Sequence, residues 1–444
     1  MSDGPRVLVV SPEYPPMPGG IGDYTALLAR HLRLHGAIVT VLTSDAGGDA
    51  SDAPDEHGVR VLRTVPHWGW GLTERVHGAV YRIGAEIVHL QYQTGMYGMH
   101  PAVNLLPWRL GWHAPVLHQA FPSPFPPPLA WPFRVVTTFH DLRPPYLFPK
   151  VGPLRDRVTR FLARTSDVAI VTNGTDAALL RRWDVQPTLV PIGSNIPATT
   201  NPAPSPEAQR QFRARYGIAP EAMLLTTFGL LNASKGLDTA IDALALLREV
   251  GIAAHLLLVG AGAGVNDPTN RATDAALAAH IAAKGVTPYV TRTGPLAPDA
   301  VADALAWGQI CLLPYRDGAS PRRGSLLAAL AQGVPVVSTT PERGAYDGLP
   351  PLTDKVVAFV PPNNAPAAVA AVRHILTDRE YAARLGVGAR AYAARFSWDT
   401  IARRTLAAYA NGAEGADNGK RPVPSTNNSA GQTETANGMA RSDG

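Results

Sequence analysis

The chain has a single cysteine among 444 residues, Cys311. An internal disulfide is therefore excluded, and so is a cysteine-based metal framework. The apolar neighbours in QICLLP place that thiol in a core strand. No run comes near the ~20 consecutive apolar residues that a membrane-crossing helix needs. The opening MSDGPRVLVV lacks the charged-then-apolar layout of a secretion signal, so the expected location is the cytoplasm. The formal net charge is only +5, and no nucleic-acid partner is expected.

What is present suffices for more than one core. Hydrophobic residues make up 45% of the chain, and single cores stop growing near ~250–300 residues, so two domains are expected. The charge is uneven: from Arg134 to Arg182 there are nine basic residues against four acidic ones. Such a face suits a phosphorylated substrate or the anionic inner face of a membrane, and a scattered solvated face is the alternative.

Apolar runs and breakers give the layout. Residues 7–11 read as a buried strand, followed by a Gly/Pro loop, an amphipathic helix over 23–35 and a strand from 37. That is a βαβ unit with a parallel sheet. Further strands are expected at 59–63, 87–91, 135–139, 168–172 and 188–191. Residues 195–220, interrupted by five prolines, read as a linker. A second series alternates strands at 223–227, 254–259, 289–291, 310–313, 334–339 and 356–360 with helices at 235–250, 298–307 and 321–332. The domains are thus 1–194 and 221–385, with a last helix over 386–410. The tail 411–444, without aromatic residues, reads as disordered. The fold class is α/β, two Rossmann-like doubly wound domains whose strand C-termini face a central cleft.

Residues 104–133 are Pro-rich and aromatic, and LHQAFPSPFPPPLAWPF excludes a regular helix or central strand. Phe121, Phe125, Trp131 and Phe133 alternate with prolines beside the basic segment. Such a stretch rests on a membrane surface, covers a lipid-linked acceptor, or packs as an apolar flap on the first domain.

The cleft loops hold the chemistry. In PYRDGASPRRGSLLAALAQGVPVVSTT, Ser320 reads as an N-cap, Pro321 as the first helical residue and Gly333 as the stop. Arg322 and Arg323 then sit where the helix dipole is already positive. Each costs about 0.3–1 kcal/mol unless an anion joins them, and Gly324 and Ser325 offer their N–H groups to the same anion. In FGLLNASKGLD, Lys235 sets the same conflict at the next helix, beside Gly229 and Asn232. Gly260 opens GAGAG after another strand. MPGGIGD is not spaced as a dinucleotide fingerprint, so Gly19 and Gly20 read as letting backbone approach a ligand, with Asp23 beside them. His140 and Asp141 end a strand at the cleft, where imidazole can donate to a sugar hydroxyl, and Asn173 ends the next one.

Together, PPMPGG, the His140-Asp141 pair, the Lys235-Gly236 step and LLAALAQGVPVVSTT resemble the family 4 retaining glycosyltransferases of the GT-B fold. FSWDTIARRTLAAY is similar to the family's C-terminal helix, which crosses back to the first domain. The resemblance implies a nucleotide-diphosphate sugar as donor and a glycan, lipid-linked or small-molecule acceptor. It implies retention of configuration and no metal or other cofactor. Lys235 and the amides around Arg322 to Ser325 would bind the diphosphate, with His140 at the transferred sugar and Gly19 and Gly20 toward the acceptor or phosphate. The chain departs from the family at Leu230, where an arginine is usual, and at Ser320 and Ala328, where glutamates are usual. Donor identity therefore does not carry over, and a catalytically weak sugar-nucleotide binding protein or a GT-B epimerase are the alternative functions.

Overall fold

The computed structural model describes residues 4–17, 19–47, 54–55, 57–111, 133–142, 152–229, 232–260, 268–342 and 348–416. Two all-parallel sheets organise them. The first has seven strands in the order β3-β2-β1-β4-β5-β6-β7. These are β1 (Arg6–Val10), β2 (Ile38–Ser44), β3 (Arg60–Val65), β4 (Ile87–Gln93), β5 (Arg134–Asp141), β6 (Val168–Val171) and β7 (Thr188–Leu189). The second runs β10-β9-β8-β11-β12-β13. Its strands are β8 (Met223–Phe228), β9 (Ala254–Val259), β10 (Val290–Arg292), β11 (Ile310–Leu313), β12 (Val336–Thr339) and β13 (Ala358–Val360). Strand order reverses between β1 and β4 in one sheet and between β8 and β11 in the other. Crevices for ligands open beyond the strand ends at such points.

The strands form where Val, Leu and Ile runs are buried on both sides, as a parallel sheet covered by helices requires. Alternate residues feed opposite layers. In β1, Leu8 and Val10 join one core, while Val7 and Val9 join the other. In β11, Cys311 and Leu313 face one layer and Ile310 and Leu312 the second. Cys311 is wholly buried, and burial pushes its thiol up to about 12.

Helices cover both sheets: α1 (Gly20–Leu34), α2 (Leu72–Ile83), α3 (Gly152–Thr165) and α4 (Gly174–Arg182) in the first half, then α5 (Pro206–Arg215). In the second half are α6 (Leu237–Glu249), α7 (Pro268–Ala283), α8 (Pro298–Ala306), α9 (Gly324–Gln332), α10 (Ala365–Thr377) and α11 (Arg379–Ala393). The last helix, α12 (Trp398–Ala416), returns to the first sheet. Its Ile401, Ala402, Ala408 and Tyr409 complete the core containing Val7 and Val9. Trp398 packs edge-on to Tyr24 of α1, and its indole N–H donates to the Ser194 carbonyl at 2.8 Å.

Several expectations move. The linker expected over 195–220 carries α5 at Pro206–Arg215, where Ser205 accepts the Ala208 N–H and Pro206 takes the first helical place. The single last helix expected over 386–410 is divided: its first part ends α11 at Ala393, and α12 runs from Trp398 to Ala416, with 417–444 outside the described residues. Residues 106–111, which include Pro107, are helical, and 112–132 of the aromatic insertion lie outside the described residues. The change at α9 bears on the site. Among the described residues, no helix is long and apolar enough to cross a membrane.

Candidate functional site

Two loops of the second sheet, after β8 and after β11, build one half of the site. Beyond β8, Asn232 caps a single 3₁₀ turn, Ala233–Lys235, by accepting the Ser234 N–H at 2.8 Å. Gly236 follows at φ 63°, and α6 begins at Leu237. A Cβ on Gly236 would lie 2.0 Å from the Pro314 carbonyl oxygen, so only glycine lets the two loops close on each other. Lys235 therefore precedes a helix rather than opening one, because left-handed Gly236 breaks the chain between them.

Ser320 is likewise not the cap of α9. The Arg323 N–H donates to the Ser320 carbonyl at 3.0 Å and the Arg322 N–H to Ser320 Oγ at 3.3 Å, closing a β-turn with Pro321 second. Ser and Pro suit the first two places of such a turn as well as N-cap and N1, so the sequence pattern fits both. The helix ladder starts where Leu326 and Leu327 donate to the Arg323 carbonyl. Both arginines thus stand immediately before the helix rather than inside its first turn.

Tyr315, wholly buried at the end of β11, organises the charges. The Arg323 guanidinium lies 4.1 Å from its ring centre and pairs with Asp317. Lys235 Nζ lies 5.2 Å from the same ring and donates to Ser325 Oγ at 2.7 Å. The Tyr315 hydroxyl shares that Ser325 oxygen, also at 2.7 Å. Burial pushes Lys235 down to about 8; Arg323 adds to the fall and Asp317 opposes it. Two cations, one carboxylate and the positive end of α9 make an anion-ready corner.

The first sheet supplies the other half. Its β4–β5 register slips at Tyr92/Gln93, so Gln93 pairs with Asp141, and the strand end carries His140 and Asp141 to the cleft. His140 Nε2 donates to Gln91 Oε1 at 2.8 Å, and the Tyr24 ring meets the imidazole edge-on at 4.6 Å. Burial pushes His140 down to about 3, so it is neutral. Asn173 caps α4: it accepts the Asp176 N–H at 2.9 Å and donates to Asp176 Oδ2 at 2.7 Å. Burial raises the buried Asp176 carboxyl and Asn173 lowers it; Asp141 adds to the rise, and Arg322 of the second domain opposes it.

A cavity of about 640 Å³ separates the halves. Ile21, Gln93, His140, Asp141, Thr172, Thr175 and Ile192 line it on one side; Ser234, Asp317, Gly318, Ser320, Arg322, Arg323 and Glu342 line it on the other. Of the expected residues, His140, Asp141, Ser320, Arg322 and Arg323 thus share one space. Lys235, Gly229 and Ser325 gather beside it: a Cβ on Gly229 would lie 3.1 Å from Lys235 Nζ. Asn232 is exposed at its turn. Gly324, first in α9, has open space where a side chain would be. Gly260 sits at φ 67° after β9 with its N–H on Thr293 Oγ1. The remainder of GAGAG, and Leu230, lie outside the described residues. Ala328 is wholly buried in the face that α9 packs into its domain.

Gly19, Gly20 and Asp23 are not among the lining residues. Asp23 is exposed and accepts from the Asn195 side chain. A Cβ on Gly19 would lie 2.1 Å from Glu13 Oε2, and Glu13 also accepts the Gly22 N–H. The glycine therefore admits a carboxylate of the chain itself to the start of α1, where an acceptor or a donor phosphate was expected. Sequence reasoning missed Glu13, Gln93, Tyr315, Asp317 and Asp176. Position beyond a strand end flags Gln93, Tyr315 and Asp317; nothing local flags Glu13 or Asp176.

Two family models match the chain. One, a glycosyl transferase 4-like domain, matches residues 19–193. The other, described as glycosyl transferases group 1, matches residues 222–378. The chain is 26% identical over 413 residues to a GDP-mannose-dependent alpha-(1-6)-phosphatidylinositol monomannoside mannosyltransferase of Mycobacterium tuberculosis, covering 90% of this chain and 96% of that protein. It is 26% identical over 435 residues to a D-inositol 3-phosphate glycosyltransferase of Xylanimonas cellulosilytica, covering 92% and 97%. Among solved structures, sucrose-phosphate synthase from Thermosynechococcus elongatus superposes with a TM-score of 0.65 at 20% identity, covering 92% of this chain and 98% of that one. The catalytic domain of starch synthase IV from Arabidopsis thaliana, bound to ADP and acarbose, gives 0.62 at 14%, covering 93% and 100%. Both likenesses are of fold.

Proposed function

The chain belongs to the family 4 glycosyltransferases of the GT-B fold, and we propose that it transfers a sugar from a nucleoside-diphosphate donor to a hydroxyl with retention of anomeric configuration. Lys235 and Arg323, gathered on Tyr315 at the open end of α9, carry this reading. In the transfer, the acceptor oxygen bonds to the anomeric carbon while the bond from that carbon to the diphosphate oxygen breaks. The electron pair leaves with the diphosphate, whose growing charge Arg323, Lys235 and the α9 amides offset without a metal. Attack on the face that the leaving group vacates retains configuration without a protein nucleophile, and the departing phosphate oxygen takes the hydroxyl proton. His140, neutral and half-buried at the cavity, holds the sugar by hydrogen bonding. The acceptor lies against Gln93, Asp141, Thr172 and Thr175, a lining suited to hydroxyl groups on a glycan, an inositol or a lipid-linked sugar.

Incubation with a panel containing GDP-mannose, UDP-glucose and ADP-glucose, with NMR of the product's anomeric centre, tests the reading. Transfer with retention from one donor is expected, together with loss of donor binding by calorimetry in Arg323→Ala and Lys235→Ala. An inverted product removes the retaining mechanism, and unchanged donor affinity in both variants removes the diphosphate assignment.

A further inference from the structure

Glu342 lines the cavity on the side of the second domain, just beyond β12. The end of β12 is tied to the loop that carries Tyr315. The Ser338 hydroxyl donates to the Leu313 carbonyl, the Thr339 hydroxyl to the Tyr315 carbonyl, and the Ala319 N–H to the Thr339 carbonyl at 3.1 Å. Gly318 stands among these tethers at φ 82°, and a Cβ there would lie 2.7 Å from the Thr340 carbonyl oxygen and 2.9 Å from the Glu342 nitrogen. Only glycine lets the loop after β11 come down on the backbone of Glu342. The carboxylates on this side of the cavity, Asp317 and Glu342, thus belong to loops fixed against each other. Their surroundings differ: Asp317 pairs with Arg323, whereas Glu342 is exposed and makes no ion pair or hydrogen bond among the described residues.

A carboxylate repels a diphosphate, so its place relative to the phosphate corner decides what it serves. Lys235 and Arg323 reach that corner from the loops after β8 and β11. In the sheet, β9 lies on the far side of β8, and β12 on the far side of β11. Gly260, after β9, and Glu342, after β12, therefore flank the corner on opposite sides. Of the two, Glu342 shares the cavity with His140. A donor anchored by its diphosphate extends both ways from the corner, its nucleoside in one direction and its sugar in the other. With His140 at the sugar, Glu342 stands on the sugar's side. We infer that Glu342 is a specificity-determining residue for the donor sugar, its carboxylate accepting hydrogen bonds from ring hydroxyls across the cavity from His140. A carboxylate offers acceptors only, and its two oxygens match a pair of neighbouring hydroxyls. Sugars that lack or reorient one of that pair leave an oxygen unused, which separates them in affinity. The inference rests on the sugar-transfer reading and names the residue that selects the sugar.

Calorimetry on the full chain tests it by comparing a nucleoside diphosphate with its sugar conjugate, taken from whichever of GDP-mannose, UDP-glucose and ADP-glucose binds the wild type. Glu342→Ala is expected to weaken the conjugate roughly tenfold and to leave the free nucleoside diphosphate within about twofold. Glu342→Gln keeps one acceptor oxygen and should lose less. Conjugates lacking one ring hydroxyl locate the contact. The matching deoxy conjugate should bind the wild type about as weakly as the intact one binds Glu342→Ala, with no further loss in the variant. An equal loss for the free nucleoside diphosphate would put the carboxylate at the ribose, and unchanged affinity for both would leave it a solvated surface group; either result overturns the inference. Losses that add for every deoxy conjugate overturn it as well. A wild type that binds none of the three conjugates removes the transfer reading and this inference together, whereas binding indifferent to Glu342 removes the inference alone.

Discussion

Lys235 is charged at neutral pH, but not by a wide margin. Burial, then Arg323, bring it down to about 8 from an ordinary 10.5. Because the folded value is lowered, the unfolded chain binds more protons between those values, and stability from this group rises as pH climbs through that window. Ligand binding runs the opposite way, since a diphosphate favours the charged ammonium. Affinity for a nucleoside diphosphate should therefore fall as pH rises past about 8, and binding near that pH should take up protons from the buffer. Calorimetry in buffers of differing ionisation enthalpy measures both effects, and Lys235→Arg should flatten the profile. A flat wild-type profile from about pH 7 to pH 9.5 would mean that Lys235 does not meet the phosphates. Gly19 and Gly20 make a second contrast at this scale. Gly19→Ala puts a methyl where the Glu13 carboxylate lies, so that flexible side-chain end must swing off the Gly22 N–H, at a cost of about 1 kcal/mol for the hydrogen bond given up. Gly20→Ala meets nothing within 4 Å and should be neutral or stabilising by up to about 1 kcal/mol. Urea unfolding separates the pair, and equal effects would remove the steric role given to Gly19.

At the scale of elements, α9 depends on what caps it from outside. Arg323, at its N-cap, makes no capping bond through its side chain, so Ser325 becomes the polar centre of the first turn by accepting from Lys235 and sharing a hydrogen bond with the Tyr315 hydroxyl. Ser325→Ala strands the wholly buried Tyr315 hydroxyl and should cost about 1–3 kcal/mol in urea unfolding. A cost near zero would show that the shared hydrogen bonds contribute little. The same helix shows how far the sequence reaches. Strands were legible because Val, Leu and Ile runs buried on both faces have no other use, and β1, β4 and β9 fall within a residue or two of their expected limits. The start of α9 was not, because Ser-Pro opens a β-turn and a helix alike, and the contacts that decide lie in the Asp317 and Tyr315 loop. The charge conflict at Arg323 and Lys235 was visible in sequence, whereas the ring that gathers both cations was not. Glu13 was hidden for a similar reason: only the folded loop brings its carboxylate to the space beside Gly19.

Across the whole molecule, the two domains meet through charge as well as through α12. Arg322 belongs to the second domain, yet its charge acts on Asp176 of the first, with Asp141 beside it. Arg322 and Asp141 also line opposite sides of the same cavity. A donor diphosphate bound at α9 would compete with these carboxylates for Arg322, so part of its binding energy goes into drawing the arginine away. Removing the carboxylate charge should relieve that competition. Asp176→Asn is expected to tighten nucleoside diphosphate binding by roughly two- to fivefold, and Arg322→Ala to weaken it by tenfold or more. In the double variant, the Asp176→Asn gain should vanish, because the cation whose competition it relieves has gone. Calorimetry on the four proteins closes the cycle. The same gain in both backgrounds would mean that Asp176 acts on the site without Arg322, and the arginine would then be a ligand of the donor alone rather than a contact shared between the domains.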